Sequence, residues 1–160
     1  MNASAHYELF QIYFQYVRCN TDASPGPGAD DLHAVLRPLF FTSFILDDYL
    51  ADCSFHSART VLLSSASSKT VLGIAYLLRW RGDVKVCGLT SARHRKFVER
   101  SGCFDAVSSY NDLDALYWAS PTSFLDFSGN VALRDVLHAC LGDMLVHSLR
   151  VGTTHWRDLA

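Results

Sequence analysis

Apolar residues recur along this chain with two alternating periods. Between Ala5 and Arg18, Leu9, Ile12, Tyr13, Tyr16 and Val17 follow an i, i+3, i+4, i+7 spacing, which predicts an amphipathic helix with an aromatic stripe in need of a partner. Asn20 to Asp30, NTDASPGPGAD, places two prolines and two glycines among small polar residues and reads as a linker. The helical spacing resumes at Asp31. A proline at position 38 disfavours helical backbone at the residue before it and suits a helix start, so two helices are expected to meet there, the second spanning Phe40 to Leu50.

Downstream the period changes. Apolar runs of strand length occur at Thr60 to Leu63, Val84 to Leu89 and Ser123 to Phe127, with a weaker run at Ala106 to Ser109 and a last one at Met144 to Val151. Helical spacing separates them at Lys69 to Trp80, Arg93 to Ser101 and Val131 to Leu141. Strands alternating with helices at this interval are the mark of right-handed βαβ crossovers in a parallel sheet. The expected fold is α/β, a Rossmann-like parallel sheet with flanking helices, preceded by an N-terminal helical segment. Residues 1–30 form helix and linker in this reading, and 31–160 the Rossmann-like domain.

Composition narrows the function classes. With 160 residues, 49% of them apolar, the chain can bury one real core but hardly two. A net charge of −2, from 14 basic and 16 acidic residues spread along the chain, creates no field for nucleic acid or an anionic membrane. The N-terminus lacks a basic leader and a continuous apolar core, and no run reaches the roughly 18 residues of a membrane span. A cytoplasmic location is expected. The five cysteines, Cys19, Cys53, Cys87, Cys103 and Cys140, are scattered without a CxxC pair, and a close Cys/His couple such as Cys53 with His56 supplies only two ligands, so reduced thiols and no metal site are expected.

The chemistry concentrates at SSASSKTVLG, Ser64 to Gly73, between the first strand and its helix. In an open parallel sheet this turn aims unpaired helix N–H groups at an anion beyond the carboxyl ends of the strands. Ser64, Ser65, Ser67 and Ser68 offer hydroxyls and Lys69 a charge. The glycines of a dinucleotide site are nearly all absent. Two readings follow: hydroxyls hold a pyrophosphate that sits further out, or the turn is a structural cap with Ser68 as N-cap.

This stretch resembles the turn of the medium-chain dehydrogenase and quinone-oxidoreductase superfamily, which reads like A-S-G-G-V-G where this chain has Ala66-Ser67-Ser68-Lys69-Thr70-Val71. More closely, the chain resembles uncharacterised family 2855 of the domains of unknown function. RPLFFTSFILDDYL, LLSSASSKTVLGIAYLLR, GLTSARHRKFVERSGCFDAVSSY, LDFSGN and VGTTHW carry that resemblance in order, from Arg37 to Trp156. At the superfamily's glycine positions stand Ser68, Lys69 and Val71, whose β-carbons narrow the approach of backbone to pyrophosphate.

The resemblance implies a nucleotide cofactor held by Ser65, Ser67, Ser68, Lys69 and Thr70 at the first turn. At the end of the second strand an Asp or Glu would hold the ribose 2′-hydroxyl of NAD, whereas here Thr90, Ser91, Arg93 and Arg95 precede the first acid, Glu99. Hydroxyls and cations there suit the 2′-phosphate of NADP. Basic residues in a helix's first turn oppose its dipole, a small penalty that a bound anion would relieve. Gly129 and Asn130 of LDFSGN fall where a nicotinamide ribose would pass, or are simply turn chemistry. Thr42 matches a threonine that the superfamily keeps in the helix ahead of the cofactor domain; it would reach the cofactor, or serve as a helix-capping or buried hydroxyl. His155 and Trp156 could border the same crevice or merely pack.

Superfamily dehydrogenases carry a barrel-like catalytic domain ahead of this one, and only some 36 residues precede the matching region here. The expectation is therefore an NADP(H)-binding domain of a medium-chain-type oxidoreductase that reduces carbonyl, enone or quinone substrates, without a complete active site and with no catalytic residue assigned. A missing domain or partner chain would meet the N-terminal aromatic helix. The alternative is a non-catalytic nucleotide-binding or interaction module. Other signatures fail: G-x-S-x-G is absent, Ala66 stands where S-x-x-K needs its serine, and no glycine frames Lys69-Thr70 as a Walker A loop.

Overall fold

The computed structural model describes residues 29–113 and 120–152. The helix expected at Ala5 to Arg18, nearly all of the linker, and Thr153 to Trp156 of VGTTHW lie outside these residues. Contacts divide the chain into residues 1–35 and 36–160. Of the first unit, only 29–35 are described, and they are helical.

Helix α1 spans Ala29–Asp52 with Pro38 inside it, so the expected break does not occur. Proline removes one N–H from the helical ladder at a cost of about 3 kcal/mol, but only locally. The turns that follow are held from outside the ladder. Ser43 donates its hydroxyl to the Thr70 carbonyl at 2.8 Å, Leu50 is fully buried, and Asp47, 4% exposed, receives Arg81 Nε at 2.9–3.0 Å on both carboxylate oxygens. Tertiary contacts thus outweigh the local preference against helix.

The rest is an alternation of strand and helix: β1 Thr60–Leu63, α2 Lys69–Arg81, β2 Lys85–Thr90, α3 Arg95–Arg100, β3 Ala106–Ser109, β4 Thr122–Asp126, α4 Val131–Leu141 and β5 Leu145–Arg150. All five strands pair in parallel, in the order β3-β2-β1-β4-β5. The fold is the Rossmann-like α/β layer that the strand–helix spacing predicts. Strand boundaries agree within a residue, whereas the helical run from Arg93 resolves into a 3₁₀ turn, Ala92–His94, followed by the short α3.

The apolar runs of β1 and β4 are explained by burial on both sheet faces. Val61 and Leu63 of β1 pack with Val71, Ile74 and Leu78 of α2 and with Leu50 of α1, while Leu62 between them packs with Leu89, Phe124 and Leu137 on the other side. Helix α2 is bounded by local chemistry: Ser68 caps its first turn and Gly82, at φ +78°, ends it. Among the described residues no helix is long and apolar enough to cross a membrane.

Candidate functional site

The sheet reverses direction of winding between β1 and β4, and in open α/β sheets ligands bind beyond the carboxyl ends of strands at such a switch point. Here two buried side chains tie the strands together. Ser64 Oγ donates to Asp126 Oδ1 at 2.8 Å and accepts the N–H groups of Phe127 and Ser128 at 2.8 and 3.0 Å. The same carboxylate oxygen accepts from Ser128 N–H, Ser128 Oγ and Gly129 N–H at 2.9, 2.7 and 3.2 Å. Its second oxygen, Oδ2, is buried with no hydrogen-bond partner. Four donors on one oxygen fold LDFSGN tightly over the end of β4.

The serine-rich turn is only in part open to a ligand. Ser65 has left-handed backbone, φ +53°, and its N–H donates to the Tyr110 hydroxyl at 2.8 Å. Ser68 Oγ accepts from Val71 N–H at 3.3 Å, and Ser68 N–H donates to the Ser65 carbonyl. Ala66 is buried against β2: a β-carbon built on Gly88 would lie 2.9 Å from that of Ala66 and 2.8 Å from the Phe104 ring. What remains is the N-terminus of α2, where the N–H groups of Lys69 and Thr70 have no partner among the described residues. The Ser67 hydroxyl and the exposed Lys69 ammonium flank it without a partner of their own among those residues.

At the end of β2 the residues separate by role. Thr90 is 1% exposed and Ser91 Oγ lies 3.1 Å from His94 Nδ1, so both are engaged in the fold. Arg95 donates to Glu99 at 2.8 Å and stands 3.7 Å from Asp112. Arg93 is exposed and has no partner among the described residues. Of the two arginines, it is the one left available to a ligand.

Gly129, at φ +68°, permits the fold of LDFSGN, and Asn130 caps α4 by accepting from Leu133 N–H at 3.0 Å. Thr42 is exposed and donates within its own helix to the Pro38 carbonyl, while its neighbour Ser43 makes the bond to α2. The structure therefore gathers Ser65, Ser67, Ser68, Lys69, Thr70, Gly129 and Asn130 at the ends of β1 and β4, with Thr90, Ser91, Arg93 and Arg95 following the adjacent β2. Among the described residues Thr42 hydrogen-bonds only within α1. A cavity of about 550 Å³, lined by Arg59, Arg79, Asp83, Lys85 and Asp105, lies at the opposite, amino end of the sheet, where β1, β2 and β3 begin.

Two residues of this end escape the sequence reading. Asp126 carries a signal, since an aspartate followed two and three residues later by Ser and Gly suits a side chain that accepts backbone N–H groups downstream. Tyr110 carries none, because its hydroxyl reaches the turn only through the pairing of β2 with β3.

The open parallel sheet, its switch point and the capped helix after β1 define an α/β protein of Rossmann-like type. The chain belongs to the family described as "Protein of unknown function (DUF2855)", whose model matches residues 2–160. No curated protein matches it.

Proposed function

We propose that the crevice beyond β1 and β4 binds NADP(H), as the cofactor domain of an oxidoreductase related to the medium-chain dehydrogenase and quinone-oxidoreductase superfamily. The observation that carries this reading is the pair of unpartnered N–H groups, Lys69 and Thr70, at the start of a 13-residue helix on the switch point of the sheet. The diphosphate would rest there with Ser67 and Lys69, and Arg93 would meet the 2′-phosphate. When bound, the nicotinamide would supply hydride transfer to a carbonyl, enone or quinone. The chain's residues bind and orient it in this reading, in a cytoplasmic protein with reduced thiols.

A second reading is a non-catalytic nucleotide-binding or interaction module. It is favoured by the internal engagement of Ser64, Ser65 and Ser68, and by Phe40, Phe41, Phe44 and Ile45, which give α1 an exposed apolar face, suited to a partner chain or a further domain. Titration of the purified chain with NADPH, with NADH as control and fluorescence as readout, separates a cofactor site from a module that interacts without a nucleotide. Saturable binding that prefers NADPH supports the cofactor domain. Failure of both nucleotides to bind would sink it and leave the serine turn a structural cap.

A further inference from the structure

The amino end of the sheet holds a second group of chemistry-bearing side chains, and two backbone irregularities put it there. After α1 the chain makes one left-handed turn, Ser54–Ser57, with φ of 48, 53, 52 and 64°. None of these residues is glycine, and left-handed backbone costs each roughly 1–2 kcal/mol. The pairing of β4 with β5 also slips by a residue between Thr122 and Ser123, which sets His147 rather than Val146 opposite Ser123. Bulges are uncommon in parallel pairs, and such distortions collect where a side chain must be aimed.

Both distortions aim a histidine at the same atom. His56 Nε2 lies 3.3 Å and His147 Nε2 3.5 Å from the Tyr49 hydroxyl oxygen, and the two imidazoles stack at 3.8 Å, 10° from parallel. One hydroxyl proton cannot serve both nitrogens. Ser123, fully buried, binds the other nitrogen of His147, Nδ1, at 2.9 Å. With Nδ1–H donating to that hydroxyl, Nε2 presents its lone pair, the arrangement by which an outer partner prepares a histidine ligand.

We propose that Tyr49, His56 and His147 bind a late first-row divalent cation, Zn²⁺ or Cu²⁺, at the end of the sheet opposite the serine-rich turn. In a tetrahedral site with metal–ligand bonds of about 2.0–2.1 Å, adjacent donor atoms stand about 3.3–3.4 Å apart, close to the two nitrogen–oxygen separations here. Two imidazoles and a phenolate oxygen suit these metals, and the fourth position is open to water. Sharing one ion requires the rings to fan out from their stack. His56, half-buried on the turn between α1 and β1, is the ring that moves, while His147 is held by Ser123.

The test is calorimetric titration of the untagged, metal-free chain with Zn²⁺ and with Cu²⁺. One equivalent should bind, and His56→Ala and His147→Ala should each lose more than the roughly 10–100-fold that removal of an outer-shell partner costs. Ser123→Ala should fall within that range, and His94→Ala should bind as the parent does. Cu²⁺ should also give a phenolate-to-copper absorption band that Tyr49→Phe abolishes, a signature no structural role would produce. Absence of stoichiometric binding, or binding that survives His56→Ala in a folded variant, would overturn the site.

Discussion

Ser64 Oγ both donates to Asp126 Oδ1 and accepts from Phe127 N–H, each at 2.8 Å, so one buried hydroxyl joins the ends of β1 and β4. Ser64→Ala removes a donor from the carboxylate and leaves Phe127 N–H without an acceptor, whereas Ser128 N–H keeps its bond to Asp126. A buried donor left unsatisfied beside a weakened charge-assisted bond should cost about 2–3 kcal/mol. Urea unfolding measures it, and hydrogen exchange at Phe127 should accelerate. A loss below about 0.5 kcal/mol, the size of an ordinary surface change, would mean that the latch is not needed.

Gly88 in β2 makes room for the serine turn. Its added β-carbon would meet Phe104 at 2.8 Å and Ala66 at 2.9 Å, both parts of a packed core. Gly88→Ala should therefore destabilise by about 1–3 kcal/mol through overpacking. Pairing it with Ala66→Gly relieves one of the two clashes and should recover part of the loss in thermal unfolding. No recovery would place the strain wholly on Phe104.

Burial, and secondarily Asp105, push the Cys87 thiol up to about 11. Near pH 8 about one molecule in a thousand then carries the thiolate, the form that reacts. Cys140 is exposed. Limited alkylation read by mass spectrometry should label the exposed Cys140 well before the half-buried Cys87. Modification of Cys87 as fast as Cys140 would contradict its raised thiol.

His147 takes up a proton less readily than an ordinary histidine, chiefly because it is partly buried and also because positive charge on the neighbouring His56 opposes it. The unfolded chain therefore binds more protons than the folded one in the window below 6.5, the ordinary value. This contribution to stability is complete above that value and is lost as pH falls through the window. Urea midpoints in metal-free buffer from about pH 5 to about pH 8 should show the decline, and His147→Gln should reduce it. An unchanged slope in the variant would assign the decline to other groups.

The sheet was legible in the sequence because parallel strands buried on two faces become continuous apolar runs. TVLL at Thr60 to Leu63 and SFLDF at Ser123 to Phe127 announce themselves without any partner in view. The cap at Ser68 was legible too, since hydroxyls before a helical run have a local effect. Pro38 misled because its cost is local and its compensation is not: Asp47 meets Arg81 34 positions away. The left-handed turn at Ser54–Ser57 has no glycine or asparagine to mark it, and the meeting of Tyr49 with His147 spans 98 positions. Only the assembled sheet brings such pairs together.

Arg93 and Arg95 stand two residues apart with the same charge, yet their surroundings separate them. Arg95 is engaged by Glu99 and Asp112, while Arg93 has no partner among the described residues. If the end of β2 receives a 2′-phosphate, Arg93→Ala removes a charge-assisted bond of about 1.5–3 kcal/mol and should weaken NADPH by about 10- to 100-fold. NADH, which lacks that phosphate, should be little affected, and Arg95→Ala should change either affinity less. Parallel titrations of both nucleotides against both variants decide it: equal loss of NADPH and NADH in Arg93→Ala would remove the 2′-phosphate role while leaving the diphosphate site at Lys69 and Thr70 to be judged by its own binding.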